Sequence, residues 1–253
     1  MDVRLYAMTC GWLSMQLGDM LEGETGILKI PVPAYLIVHP KGNVLFDTGL
    51  HASIQKDPQQ RLGKVTKLFE FYYEPGEDLA ARLESLDTDP GKVRYIVNSH
   101  LHFDHCGGNE AAPNASLVIQ RPEWQAAHDA DLIRSVGYMR QDYDTGQDVI
   151  QIDGERDLFG DGAVTCIPTY GHTPGHQSLR VRLPSGEVVL TGDACYLRRS
   201  LEEMRLPRFV HNREQMLRSF RVFKDLQSRG ARIFYGHDPE FWRDVPQAPA
   251  QVA

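Results

Sequence analysis

The ten residues Ser99-His100-Leu101-His102-Phe103-Asp104-His105-Cys106-Gly107-Gly108 constrain this chain more than any other stretch. They place four metal-binding side chains within six positions, in the pattern H-x-H-x-D-H. In an extended segment, residues two apart face the same way. His100 and His102 can therefore hold one ion together. Asp104 and His105 are adjacent and can turn to a second. Gly107 and Gly108 are expected to let the backbone turn sharply after the ligands. Imidazole with carboxylate suits Zn²⁺ first, with Fe, Mn or Co as alternatives. A chance His-rich surface loop explains a lone histidine easily, but not four ligands in six residues.

Several short β-rich runs end in further ligands. Residues 93–98 run into His100, 164–168 into His172, 188–191 into Asp193 and 232–235 into His237. Strand ends open into loops at one sheet edge, where sites are commonly built. Other runs at 3–8, 34–39, 44–46, 117–120 and 178–183 also read as strands. Helical spacing predicts helices over 77–86, 122–130 and 212–228. Strands mixed with helices throughout indicate an α/β or α+β layered domain. With 253 residues, 42% of them hydrophobic, one domain over 1–253 can bury its core without disulfides. Residues 243–253 read as a frayed tail.

The acidic balance, net charge -7, argues against a nucleic-acid partner. No apolar run reaches the roughly 18 residues of a membrane span. The first residues lack the clean apolar stretch of a signal peptide. The four cysteines, Cys10, Cys106, Cys166 and Cys195, are scattered and read as free thiols. A cytoplasmic protein, monomer or homodimer, is expected.

The later motifs extend the pattern. They are Tyr170-Gly171-His172-Thr173-Pro174-Gly175-His176, Gly192-Asp193, Gly236-His237-Asp238 and, upstream, Asp47-Thr48-Gly49. In this order, from about Pro33 to Asp238, the set resembles the metallo-β-lactamase superfamily. The resemblance implies a four-layer αβ/βα sandwich with a dinuclear metal site at one edge of its two sheets. It implies that one ion takes His100, His102 and His172. The other takes Asp104, His105 and His237, and Asp193 bridges both. Asp47 would brace the metal loops and His176 would orient a neighbouring loop. His39, His51, His128 and His211 are given solvent or packing roles.

In finer detail the runs NSHLHFDHCGGN, GHTPGHQSL, Asp193-Ala194-Cys195-Tyr196 and FYGHD are similar to N-acyl-homoserine lactone lactonases, the quorum-quenching lactonases. That resemblance implies hydrolysis of the lactone ring by a metal-bridging hydroxide on two divalent ions. Tyr196, three residues after the bridging Asp193, would donate to the developing oxyanion. Asp104 would also protonate the leaving ring oxygen. Phe103, Met20, Phe69 and Tyr72 are candidates for an acyl-chain pocket, drawn from the stretches 12–21 and 68–73 and the metal motif. Truncating Tyr72 or Met20 is expected to hurt long-chain substrates most.

Other readings share the metal core. A 4-pyridoxolactonase and an organophosphate triesterase are the main rivals, and a metal-binding protein without hydrolysis is the non-enzyme reading. Glyoxalase II fits poorly, because about 16 residues follow His237 and its C-terminal helical region needs more. A class B β-lactamase uses a different bridging pattern. A nuclease is opposed by the charge.

Overall fold

The computed structural model describes residues 2–253. Its first sheet contains β1 (Arg4–Gln16), β2 (Ile27–Val38), β3 (Asn43–Phe46), β4 (Glu70–Tyr72), β5 (Val93–Val97), β6 (Ser116–Gln120) and β7 (Val149–Ile152), in the order β4-β1-β2-β3-β5-β6-β7. Its second contains β8 (Arg156–Asp157), β9 (Val164–Pro168), β10 (Gln177–Leu183), β11 (Gly186–Leu190) and β12 (Arg232–Phe234), in the order β12-β11-β10-β9-β8. Both sheets are mixed: β3, β5, β6 and β7 pair in parallel, as do β11 and β12, while β1–β2 and β9–β10 are antiparallel.

Alternate residues of a strand face opposite sides, and here both sides are apolar. Tyr35 and Ile37 of β2 meet Val188 and Leu190 of β11 between the sheets. Leu36, from the other face of β2, packs against Leu79 and Leu83 of helix Leu79–Glu84. Val189, from the other face of β11, packs against Phe220 and Phe223 of helix Arg213–Ser228. The result is helix, sheet, sheet, helix: the expected αβ/βα sandwich. Asn212 caps the longest helix by accepting from the Gln215 N–H at 3.0 Å. Gly230, at φ +96°, stops the chain just past its end.

Three features depart from expectation. β1 and β2 are far longer than the runs 3–8 and 34–39. Gly11, at φ +102°, sits in a β-bulge between Thr9 and Trp12 and lets β1 continue past a residue that reads as a break. The short strands β4, β7 and β8 had no counterpart among the expected runs. The tail 243–253 is docked, not frayed. Val245 and Val252 are buried, and the N–H groups of Ala248 and Val252 donate to the Ala7 and Leu5 carbonyls of β1.

Candidate metal centre

Every ligand candidate lies in a loop or single helical turn that follows a strand. β5 runs into Asn98, Ser99 and His100. His102 precedes the single turn of helix Phe103–Cys106, which carries Asp104 and His105. His172 follows β9, Asp193 follows β11 and His237 follows β12. Asn98 and Asn109 clasp the H-x-H-x-D-H segment through reciprocal amide bonds of 3.2 and 3.0 Å. Gly107 and Gly108 serve a different purpose from the sharp turn expected. Both have negative φ. A Cβ on Gly108 would lie 2.3 Å from the Thr48 carbonyl oxygen, so close approach of the Asp47-Thr48-Gly49 loop is what requires glycine.

Two groups of donors result. His100 Nε2, His102 Nδ1 and His172 Nε2 lie 2.8–3.2 Å apart. His105 Nε2 and His237 Nε2 are 3.3 Å apart, each within 3.7 Å of Asp104 Oδ2. Asp193 spans the groups. Its Oδ2 faces His172 Nε2 at 3.3 Å, and its Oδ1 faces His105 and His237 at 3.1 and 2.9 Å. All seven residues named in the sequence thus converge.

The opposite ring nitrogens show which atoms face inward bare. His102 Nε2 donates to the Val136 carbonyl at 2.9 Å, and His237 Nδ1 to the Pro31 carbonyl at 2.7 Å. His105 Nδ1 donates to Asp47 Oδ2 at 2.9 Å. The Ser99 hydroxyl donates to the same Asp47 oxygen, at 2.9 Å, and so accepts from His100 Nδ1. A neutral imidazole carries one N–H. With these rings neutral, the inward nitrogens of His100, His102, His105 and His237 are lone pairs facing lone pairs, an arrangement a cation between them would satisfy. The donor set fits two divalent ions.

The electrostatics divide the two groups: His100 and His172 are held neutral, while the carboxylates around His105 and His237 favour a positive charge there, a proton or a metal ion. Burial, helped by His105 and His102, holds His100 well below the ordinary imidazole value. Burial takes His172 down to about 3. Burial also opposes charge on His105, but the carboxylates of Asp193, Asp104 and Asp47 outweigh it and hold that ring well above the ordinary value. Burial likewise disfavours ionised Asp193, yet His105 and His237 keep its carboxyl well below the usual range. This concentration of negative charge suits a cation.

The residues around the ligands behave as expected. Asp47 braces His105 and Ser99. His176 accepts from the Ala194 N–H at 3.2 Å and fixes the loop that carries Asp193. His39, His51 and His128 lie outside the centre, in contact with Asp161, Glu110 and Trp124. Tyr196 stacks on the His237 ring and brings its hydroxyl 3.4 Å from His172 Nδ1. It lines a cavity of about 220 Å³ with Asp104, His172, Asp193, Phe103 and Phe69. This opens into a groove of about 710 Å³ between Met15, Leu68, Leu132, Val136 and Phe209.

Two acyl-pocket candidates are corrected. Met20 is wholly buried and packs behind the cavity. Tyr72 lies on edge strand β4, where Lys29 Nζ sits 4.1 Å above its ring. Residue type alone favours both, and neither faces the cavity. Phe103 and Phe69 do. Leu68, at the start of the stretch 68–73, lines the groove, whereas Val136 and Glu123 carry no local signal in the sequence. A glutamate just inside a helix reads as a solvated N-terminal charge. Its full burial depends on loops distant in sequence.

The match to the metallo-β-lactamase superfamily spans residues 29–237, and the chain belongs to that superfamily. It is 37% identical over 257 residues to the N-acyl homoserine lactonase AttM of Azorhizobium caulinodans, covering 98% of each chain. It is 32% identical over 226 residues to the N-acyl homoserine lactonase AiiA of Bacillus thuringiensis subsp. kurstaki, covering 85% of this chain and 84% of that one. Among solved structures it resembles an N-acyl homoserine lactone hydrolase with the product N-hexanoyl-L-homoserine at its catalytic metal centre. The TM-score is 0.89, with 29% identity and full coverage of both chains.

Proposed function

We propose that this protein is a metal-dependent hydrolase that opens the lactone ring of N-acyl-homoserine lactones, and so quenches quorum signals. The observation that carries the proposal is Asp193 spanning two histidine groups, with the Tyr196 phenol at the wall of a mainly apolar cavity. Relatives named as N-acyl homoserine lactonases along almost the whole chain support it.

His100, His102 and His172 would hold one divalent ion, Asp104, His105 and His237 the other, and Asp193 both. Zn²⁺ is the first candidate, with Fe, Mn or Co as alternatives. When bound, such ions supply Lewis acidity that activates water and polarises the lactone carbonyl. Tyr196 donates a hydrogen bond to the carbonyl oxygen as negative charge develops there. Water adds to the carbonyl carbon and the ring C–O bond breaks. Asp104, an ionised carboxylate at rest, takes the proton that the adding water sheds and delivers it to the departing ring oxygen. The product carries a carboxylate and a free hydroxyl. Phe103, Phe69 and Met15 shield the acyl chain from water. The four buried free cysteines fit a reducing compartment, and the cytoplasm is the proposed location.

The test is a substrate panel on metal-replete protein. It holds short and long acyl-homoserine lactones, a simple γ-lactone, 4-pyridoxolactone, paraoxon, S-lactoylglutathione and a β-lactam. The acyl-homoserine lactones should turn over best. Preference for any other member would overturn the substrate assignment. Asp193→Ala should lose metal and nearly all activity; a variant that kept both would remove the bridging role.

A further inference from the structure

One fully buried carboxylate, Glu123, stands outside the ligand set. It lies in helix Arg121–Ala126, directly after β6, with a side chain 0% exposed. Its two oxygens receive four hydrogen bonds from three other segments. Oε1 accepts from the Leu101 N–H at 3.2 Å and the Tyr138 hydroxyl at 2.8 Å. Oε2 accepts from the Thr173 hydroxyl at 2.7 Å and the Gly175 N–H at 2.9 Å.

Each donor sits beside the first donor group. Leu101 lies between His100 and His102. Thr173 follows His172. The Tyr138 ring lies 5.8 Å from that of His102, and Val136, two residues earlier, accepts from His102 Nε2. Gly175 is packed so tightly that an added Cβ would lie 2.1 Å from the Glu123 backbone nitrogen. None of the four donors belongs to, or adjoins, Asp104, His105 or His237.

We propose that Glu123 is a positioning residue for one metal subsite: it fixes the His100–His102 segment against the His172 loop, and so sets the affinity of that group for its ion. The second subsite is left to Asp47 and the Pro31 carbonyl. Only an acceptor on both oxygens can satisfy all four donors. An amide in the same shape turns an NH₂ toward one pair, where the hydroxyl can swing round to accept but the backbone N–H is left facing a donor. The inference rests on the two-metal reading above.

Metal-stripped wild type, Glu123→Gln and Thr173→Val are titrated with Zn²⁺ against a chromophoric chelator, and their metal-free thermal midpoints are recorded. Wild type should take two equivalents. Glu123→Gln should keep one at wild-type affinity and bind the other about tenfold or more weakly, the range seen when a ligand's supporting partner is removed. The weakened equivalent should be the one lost in His172→Ala and retained in His237→Ala. Thr173→Val, lacking one donor of four, should shift the same equivalent by less. A purely structural glutamate would lower the midpoint and leave both equivalents intact or weaken them alike; either result overturns the inference while the metal reading stands. A wild type that takes up no ion overturns both. If Glu123→Gln fails to fold, Thr173→Val decides by the same criterion.

Discussion

For each histidine, the outer contact of one ring nitrogen determines how the other can act. The carbonyls of Val136 and Pro31 and the carboxylate of Asp47 accept from the ring N–H groups, which in the neutral rings leaves the other nitrogen bare and facing inward. Tyr196 has the complementary role of donor. Tyr196→Phe should lower turnover on the order of a hundredfold, as loss of one oxyanion donor does elsewhere. Both metals should remain bound, checked by metal analysis beside steady-state kinetics. His39 shows similar logic away from the centre. Its Nδ1 accepts from the Lys41 N–H at 3.1 Å, its Nε2 faces Asp161 Oδ2 at 3.3 Å, and its ring stacks on Phe159. The neutral ring accepts from Lys41 through Nδ1, and a second proton would fall on that accepting nitrogen. Burial accordingly lowers this imidazole below its ordinary 6.5, against the pull of Asp161. A group lowered in the folded state binds fewer protons folded than unfolded. The stability it contributes is present above about 6.5 and is lost as pH falls through the lowered value. His39→Gln should flatten that part of the stability-against-pH curve, measured by denaturant unfolding of metal-free protein from pH 7.5 to 5. The ligands were legible in the sequence because their chemistry is carried by side-chain type and short spacing. Glu123 was not, because a buried carboxylate is defined by partners about 15 to 50 residues away.

Among the elements, those with strong local pattern were legible. Residues 212–228 show a helical stripe, a capping asparagine and a terminating glycine, and the helix follows them closely. β4 and β8 span only three and two residues, too few for a period to show. The docked tail is hidden in the sequence because Pro and Ala suggest a loose end, while its two valines are buried and its backbone pairs with β1. Removing residues 245–253 should cost about 3 kcal/mol, the scale for burying one or two valine side chains. It should also expose the N-terminal half of the β1 edge to pairing with other chains. Thermal unfolding and light scattering would show a lower midpoint and earlier aggregation. Unchanged values would mean that the docked tail adds nothing. Pocket residues were the least legible, since Met20 and Met15 look alike in sequence and only β1 geometry separates them.

Over the whole molecule, the ligands come from both sheets. His100, His102, Asp104 and His105 follow β5 of the first; His172, Asp193 and His237 follow strands of the second. Bound ions would hold the sheets together at one edge. At a thousandfold excess of free metal over Kd, binding would add roughly 4 kcal/mol to stability. Chelation should therefore lower the thermal midpoint, and Asp193→Ala should show the lowered value without chelator. The sequence separation of the ligands has a kinetic corollary. From His100 to His237 the chain must close a long loop, and β12 must already lie beside β11 before His237 can meet His105. The two-ion arrangement therefore belongs to the last steps of assembly and cannot seed the fold. Added metal should leave the refolding rate nearly unchanged and slow unfolding instead, so that the ions act as a latch on a finished molecule.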